Sequence, residues 1–213
     1  MKKKNNKSKN KEKGKILIWL KKHYMNIIIG IILLMGLFLL FYLVDMTRVT
    51  RDDKKPIFAI NTGLYSDGVS KEYVGVGYRI IKYRQIGGRY DTKIGFWNLK
   101  FVDKPTELKL LDFAIEYTDN PKDTYKKYLG EYISISGVPY YVDEKNNVIR
   151  FQYVDPDGKY TTALDFYLMY QPAKTYKDKK ETITVVGTVD NFRNKTKDSS
   201  KGIIVKNAFV KDK

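Results

Sequence analysis

Residues 131–142, EYISISGVPYYV, and residues 181–192, ETITVVGTVDNF, carry one pattern twice: Ile133-Ser-Ile-Ser-Gly137-Val against Ile183-Thr-Val-Val-Gly187-Thr. Apolar residues at every second position read as strands with one buried face. The alternation sets Ile133, Ile135 and Gly137 on one face and Ile183, Val185 and Gly187 on one face. A glycine inside such a run weakens a flat strand, and a small barrel uses it to bend its strands tightly. Three more strand-like runs complete a set of five: NVIRFQYV (147–154), YTTALDFYLM (160–169) and GIIVKNAFV (202–210). DEKNN and DPDGK supply turns between the first three.

Upstream, KPTELKLLDFAIEYTDNPKDTYKKYLG (104–130) reads as two helices. Pro105 suits a first turn, Leu108, Leu111 and Ile115 fall at i, i+3 and i+7, and Asn120-Pro121 stops the run. A second helix is expected from Pro121 to Tyr128, ended by Gly130. Residues 57–102 are again β-like, in FAINTG, EYVGVGYRIIKYRQ and KIGFWNLKF, and predict three or four strands in a small curled sheet. Gly75 and Gly77 are followed by Ile80 where a dinucleotide-binding loop needs its third glycine, and no helix start follows. They are expected to lie in a bent strand.

The arrangement Leu108-x-x-Leu111, Asn120-Pro121, Tyr128-Leu-Gly-Glu-Tyr-Ile-Ser-Ile-Ser-Gly137, then Ile183-x-Val185-x-Gly187-x-Val189 and a closing apolar strand, resembles the tRNA_anti-like OB-fold domains of bacterial envelope proteins. The resemblance covers residues 103–213. It implies a five-stranded barrel with structural kinship to nucleic-acid binders.

Met25 to Val44, MNIIIGIILLMGLFLLFYLV, holds twenty residues without a charge. As a helix it spans roughly 30 Å, the hydrocarbon thickness of a bilayer. Its eleven Leu and Ile, two Phe and one Val each favour insertion by roughly 0.3–0.6 kcal/mol. YLVDMTRVT (42–50) offers no small-x-small cleavage site, so an uncleaved anchor is expected over a signal peptide. Residues 5–24 hold seven lysines, against Arg48, Arg51, Lys54 and Lys55 over 45–64, which places the N-terminus in the cytoplasm. Trp19, Tyr24 and Tyr42 fit interfacial anchoring, and Ile16–Leu20 reads either as an interfacial piece or as an extension of the helix.

The predicted organisation is thus a Lys-rich tail (1–24), a transmembrane helix (25–45), a linker (46–56), a small β-rich subdomain (57–102) and a helix-preceded OB-like barrel (103–213). The fold class is mainly β with one N-terminal transmembrane helix. Of the net charge of +16, residues 1–25 carry +9 with ten lysines and one glutamate, and only +7 is left for the rest. The basic excess is therefore mostly a property of the tail.

No cysteine is present, which excludes disulfides, thiolate zinc sites, a cysteine nucleophile and a lipid-acylated anchor. The single histidine, His23, lies beside Lys21 and Lys22 at the membrane edge, so no histidine-dependent triad or His/Cys metal site can form beyond it. Asp155-Pro-Asp157-Gly158 starts like a calcium loop but lacks the glutamate at its twelfth position, and reads as a turn. An enzyme would have to be built from carboxylates alone, so the expectation is a non-catalytic protein without cofactor or metal.

In OB barrels, ligands lie across strands 2 and 3 and the loops flanking them. Those positions here offer Arg150 and Gln152, Asp165 and Tyr167, and, from the loop after strand 4, Phe192, Arg193, Lys195 and Lys197. Aromatic and basic groups together can stack bases and hold phosphates, although alternate tyrosines also simply pack. The leading expectation is an extracytoplasmic envelope module held in lipid through residues 25–45 that binds a protein, glycan or anionic polymer. A single-stranded nucleic-acid binder, as in a DNA-transfer apparatus, is the competing one. Protease added to intact protoplasts is expected to digest residues 46–213 and spare the tail; protection of an epitope at the C-terminal end would reverse the orientation.

Overall fold

In the computed structural model, residues 2–157, 161–193 and 201–211 are described, without the side chains of 2–17, 20, 161, 193 and 201. The chain forms two compact units, Met1–Ile60 with Gly75–Gly77, and Asn61–Val74 with Tyr78–Lys213.

The first unit is dominated by α1 (Lys2–Met46), followed by one π-helical turn, Thr47–Arg51. The backbone is helical without a break from the tail into the apolar run, so Ile16–Leu20 is an extension of that helix. Lys21–Arg51 is long and apolar enough to cross a membrane, and its most apolar 18-residue window has a mean hydropathy of 3.0 and no buried residue. His23 lies one turn from Trp19, ring centroids 5.0 Å apart, a helix-surface pairing. The stretch 46–56, expected as a polar linker, is helical as far as Arg51 and then turns back. The cause is Asp45, which is fully buried. Its carboxylate accepts the backbone N–H of Ile57 at 2.6 Å, of Phe58 at 3.1 Å and of Ala59 at 2.9 Å. Phe58 also stacks on Phe41 at 4.1 Å between centroids.

The second unit opens with a four-stranded sheet, β1 (Ile60–Leu64), β2 (Lys71–Val74), β3 (Tyr78–Lys82) and β4 (Thr92–Phe96), in the order 1-2-3-4. Gly75-Val76-Gly77 is the turn between β2 and β3, where Gly77 has φ +80°. The two glycines therefore serve a hairpin and not a bent strand, because a tight reversal needs the left-handed backbone that glycine alone adopts without strain.

Next come β5 (Thr106–Leu108), α2 (Leu110–Asp119) and α3 (Pro121–Tyr128). The expected apolar stripe of the first helix is corrected. Leu108 lies in β5, paired in parallel with Ile135, and Leu111 and Ile115 are exposed. The buried face is instead Phe113, Ala114 and Tyr117, with Leu110 packed against the same core. That set also falls at i, i+3, i+4 and i+7; both stripes satisfy the helical period, and the two large aromatics take the inside.

The barrel follows as β6 (Tyr132–Gly137), β7 (Tyr141–Asp143), β8 (Val148–Val154), β9 (Thr161–Leu168), β10 (Ile183–Arg193) and β11 (Lys201–Lys211). A single 3-10 turn, Ala173–Tyr176, links β9 to β10. The order β6-β10-β11-β9-β8-β7 has one parallel contact, β11 with β9. β6 and β7 are two halves of one strand interrupted at Val138-Pro139-Tyr140. The first half pairs with β10 and the second with β8, so the broken strand closes the barrel. With β6/β7 counted as the first strand, the pairings are 1-4, 4-5, 5-3, 3-2 and 2-1, those of a five-stranded OB barrel. Its core gathers Ile133, Ile135, Ile149, Phe151, Leu164 and Phe166 with the α2 face.

Gly187 sits where β10 and β11 slip register, between Val186↔Phe209 and Thr188↔Lys206. A β-carbon there would lie 2.6 Å from Val205 Cγ1 and 3.0 Å from the Lys206 carbonyl oxygen. On the facing strand Asn207 takes φ 50°. Gly137, paired with Ile183, ends β6 at the break.

The small sheet packs on the outside of the barrel. Tyr132, Val186 and Phe209 point away from the barrel core yet are buried as a separate cluster. Arg89, in the chain between β3 and β4, is 1% exposed. It donates from Nε and Nη2 to the two oxygens of Asp91 at 2.9 and 3.0 Å, and from Nη1 to the Val102 carbonyl at 2.8 Å. Its guanidinium lies 3.9 Å from the Tyr83 ring centroid and 5.4 Å from that of Tyr132. Asp91 also accepts from Thr188 Oγ1 of β10 at 3.1 Å. Burial pushes the Tyr132 hydroxyl up to about 12 despite the cation, so this interface holds a neutral phenol at physiological pH.

Gly187→Val should cost about 1–3 kcal/mol through overpacking, a fall in melting temperature of roughly 3–10 °C for a unit of this size; an unchanged melting curve would mean that the strand has room there. Arg89→Ala strips a buried carboxylate of its partner and should cost about 3–5 kcal/mol, whereas Arg89→Met with Asp91→Leu should recover much of that, as measured by urea unfolding.

Candidate functional site

Strands β8 and β9 run antiparallel with Ile149 opposite Phe166 and Phe151 opposite Leu164, all fully buried. Alternation turns the residues between them outward, which sets Arg150 directly opposite Asp165, Gln152 opposite Ala163 and Val148 opposite Tyr167. Arg150, Gln152, Asp165 and Tyr167 thus share one outer face, as the sequence leads one to expect.

What the face can do differs from a row of free cations. Arg150 forms a two-pronged bridge to Asp165, Nε to Oδ1 at 2.6 Å and Nη2 to Oδ2 at 3.1 Å. The carboxylate is only 2% exposed, while the arginine side chain keeps 23% of its surface. The pair is electrically neutral and its fork is already occupied by oxygen, so a ligand phosphate would have to compete with Asp165. Gln152 and Tyr167 are half-buried.

Two residues join the face that the strand pattern did not single out. Tyr140 and Tyr141 are 64% and 52% exposed at the break of the first strand. Tyr140 N–H donates to the Arg150 carbonyl at 2.9 Å, and the Tyr141 ring lies 5.8 Å from the guanidinium. Pro139 is the signal that points to them: without an N–H it cannot continue a paired strand, so the segment lifts and its tyrosines face solvent.

The remaining candidates fall elsewhere. Phe192, expected as a stacking platform, packs against Tyr117 of α2 at 5.5 Å and edge-on to Tyr125 of α3 at 4.7 Å. The ring serves the helix-to-barrel contact and not the β8/β9 face. Arg193 ends β10, and its side chain is outside the description. Lys195 and Lys197 lie outside the described residues.

Asn147, with φ 56°, shapes the end of this face. Its amide nitrogen donates to the carbonyls of Leu168 and Gln171 at 2.8 and 3.1 Å, and its amide oxygen accepts from the Ala173 N–H at 2.7 Å. It thereby ties the β7–β8 turn to the chain leaving β9. Two depressions of about 230 and 240 Å³ lie off the face, the first by Tyr170 and Phe209 and the second by Tyr176 and Ile183. Both are smaller than the roughly 300–1,000 Å³ of enclosed small-molecule sites. Among the described residues no three His, Asp or Glu side chains converge to hold a metal. Neither depression is lined by Arg150, Gln152, Asp165 or Tyr167.

No curated protein matches the chain. One solved structure with similarity is a lipoprotein of Klebsiella pneumoniae subsp. pneumoniae to which nucleic-acid binding is provisionally ascribed; it is 16% identical, with 51% of this chain and 92% of that one covered, at a TM-score of 0.35. At that level of superposition the likeness bears on neither fold nor ligand. A sequence profile of the tRNA_anti-like family, a binding-type and not a catalytic family, matches residues 3–166. The match begins well upstream of residue 103, where the strand pattern began to carry the resemblance, and stops at Phe166 inside β9. It takes in most of the chain, and the protein therefore belongs to the tRNA_anti-like family.

Proposed function

We propose that the protein is a single-pass, membrane-anchored binding module of the bacterial cell envelope, with its N-terminus in the cytoplasm and its barrel outside, and that it recognises a protein or glycan across β7, β8 and β9. The observation that carries this reading is the neutral Arg150–Asp165 bridge flanked by Tyr140, Tyr141 and Tyr167. A face whose guanidinium is already satisfied attracts polyanions weakly, while exposed phenol rings with amide and guanidinium edges favour stacking on sugars or apolar contact with a protein. The apolar helix ahead of the barrel and the lysine excess on its N-terminal side support the anchored, outward orientation.

A second reading, a single-stranded nucleic-acid binder, is favoured by the family, whose barrel type binds oligonucleotides on this same face. Arg193, Lys195 and Lys197 would then provide the phosphate contacts.

Salt separates the two. On the leading reading, the full chain in nanodiscs shows no saturable binding to single-stranded DNA or to an anionic wall polymer at low salt, and Lys195→Glu with Lys197→Glu changes nothing. Saturable binding that falls steeply with salt, and whose slope flattens in that double variant, would overturn it in favour of the polyanion reading, since each phosphate-like contact releases counterions.

A further inference from the structure

We propose that the end of β4 carrying Phe96 and Trp97 is a lipid-contacting edge, seated in the interfacial zone of the bilayer in which the chain is anchored. The proposal rests on the anchored reading above and adds a second membrane contact to it.

The chain enters its first sheet at the hydrocarbon boundary. The apolar run ends at Val44, and Asp45, the next residue, holds the N–H groups of Ile57, Phe58 and Ala59. β1 begins one residue later, at Ile60. What reads in sequence as a spacer of about a dozen residues is therefore closed as a loop on the helix end, and β1 follows it directly in the chain.

The register of the sheet carries that boundary to β4. The β1–β2 hairpin is closed by Tyr65 N–H donating to the Ser70 carbonyl at 3.0 Å, so the entry end of β1 is also the Val74 end of β2. Val74 pairs with Arg79 and Tyr78 pairs with Phe96. The end at which the chain enters the sheet is thus the end at which β4 stops.

The side chains there are of the kind an interface takes up. Phe96 is 78% and Trp97 72% exposed, side by side, with Lys100 three residues on. Two adjacent large aromatics left in water forgo a substantial burial. At the headgroup level the indole buries its ring and keeps its N–H hydrogen-bonded, which is why Trp collects at membrane interfaces. A lysine beside it is attracted by anionic lipid.

The sequence has two tryptophans, Trp19 and Trp97, so Trp19→Phe leaves Trp97 as a single reporter. In the full-length chain in nanodiscs made with lipids brominated high on the acyl chains, Trp97 should show blue-shifted emission, strong quenching by the brominated lipid and weak quenching by aqueous iodide. Phe96→Lys, at a position too exposed to disturb folding, should shift the emission to the red and restore iodide quenching while the chain stays in the disc. Water-like emission with full iodide access overturns the proposal, and so does shielding from both quenchers, which means that a second copy or another protein covers the pair. A chain that fails to enter nanodiscs strikes down the anchored reading together with this one, and is the single outcome that does.

Discussion

Closing five strands into a barrel forces the chain to bend more sharply than a flat sheet allows, and most local features of the second unit answer to that constraint. Gly187 lets β10 press to within van der Waals contact of Val205 and the Lys206 carbonyl, where any side chain would collide. The compensating residue on β11, Asn207, takes a left-handed backbone that asparagine tolerates better than most. At Gly202, a β-carbon would stand 2.6 Å from the Ala163 carbonyl oxygen across the parallel β11–β9 contact. The first strand meets the same demand by breaking at Val138-Pro139-Tyr140 so that it can serve both β10 and β8. The exposed Tyr140 and Tyr141 are a by-product of that break, so barrel closure and the make-up of the candidate face answer to the same short segment.

The second constraint is what covers the outside. A small barrel has about as many outward as inward positions, and an outward apolar residue must find a cover or remain exposed. Here Tyr132, Val186 and Phe209 are covered by the small sheet, which is why β6 is buried on both faces and its alternation fails between Tyr132 and Ile135. The sheet brings a cation into that contact. A buried Arg–Asp pair is seldom more stable than well-packed apolar residues would be, but it is intolerant of misplacement. Arg89 reaches Asp91, Val102, Tyr83 and Tyr132 at once, and Asp91 reaches Thr188, so the pair fixes one register of sheet on barrel. The cover lies over β6, β10 and β11, on strands other than β8 and β9, which carry the candidate face.

The strands of the barrel were legible because their period is short and their glycines fall where bending is needed. Helix α3 was legible to the residue, Pro121 to Tyr128, since proline, glycine and the local period agree. The first helix misled because two stripes fit it equally well, and only the competition between Leu111/Ile115 and Phe113/Tyr117 for a core still unknown decides between them. Neither Arg89 nor Asp91 stands out in the sequence, since nothing local marks an ion pair two residues apart that reaches a strand about a hundred residues on. On the candidate face the residue types were readable. The electrostatics were not, because Arg150 and Asp165 become partners only through a register that places positions fifteen apart side by side.

Asp45 shows how a residue read as the start of a linker can remove the linker. A carboxylate at a helix C-terminus meets the negative end of the helix dipole, an unfavourable position on its own. Three backbone N–H donors offset that penalty and explain how the group can be fully buried. Those donors are the first residues of the returning chain, so they reach the charge when residues 46–56 close as a loop, and the carboxylate ties the helix end to the residues that lead into β1.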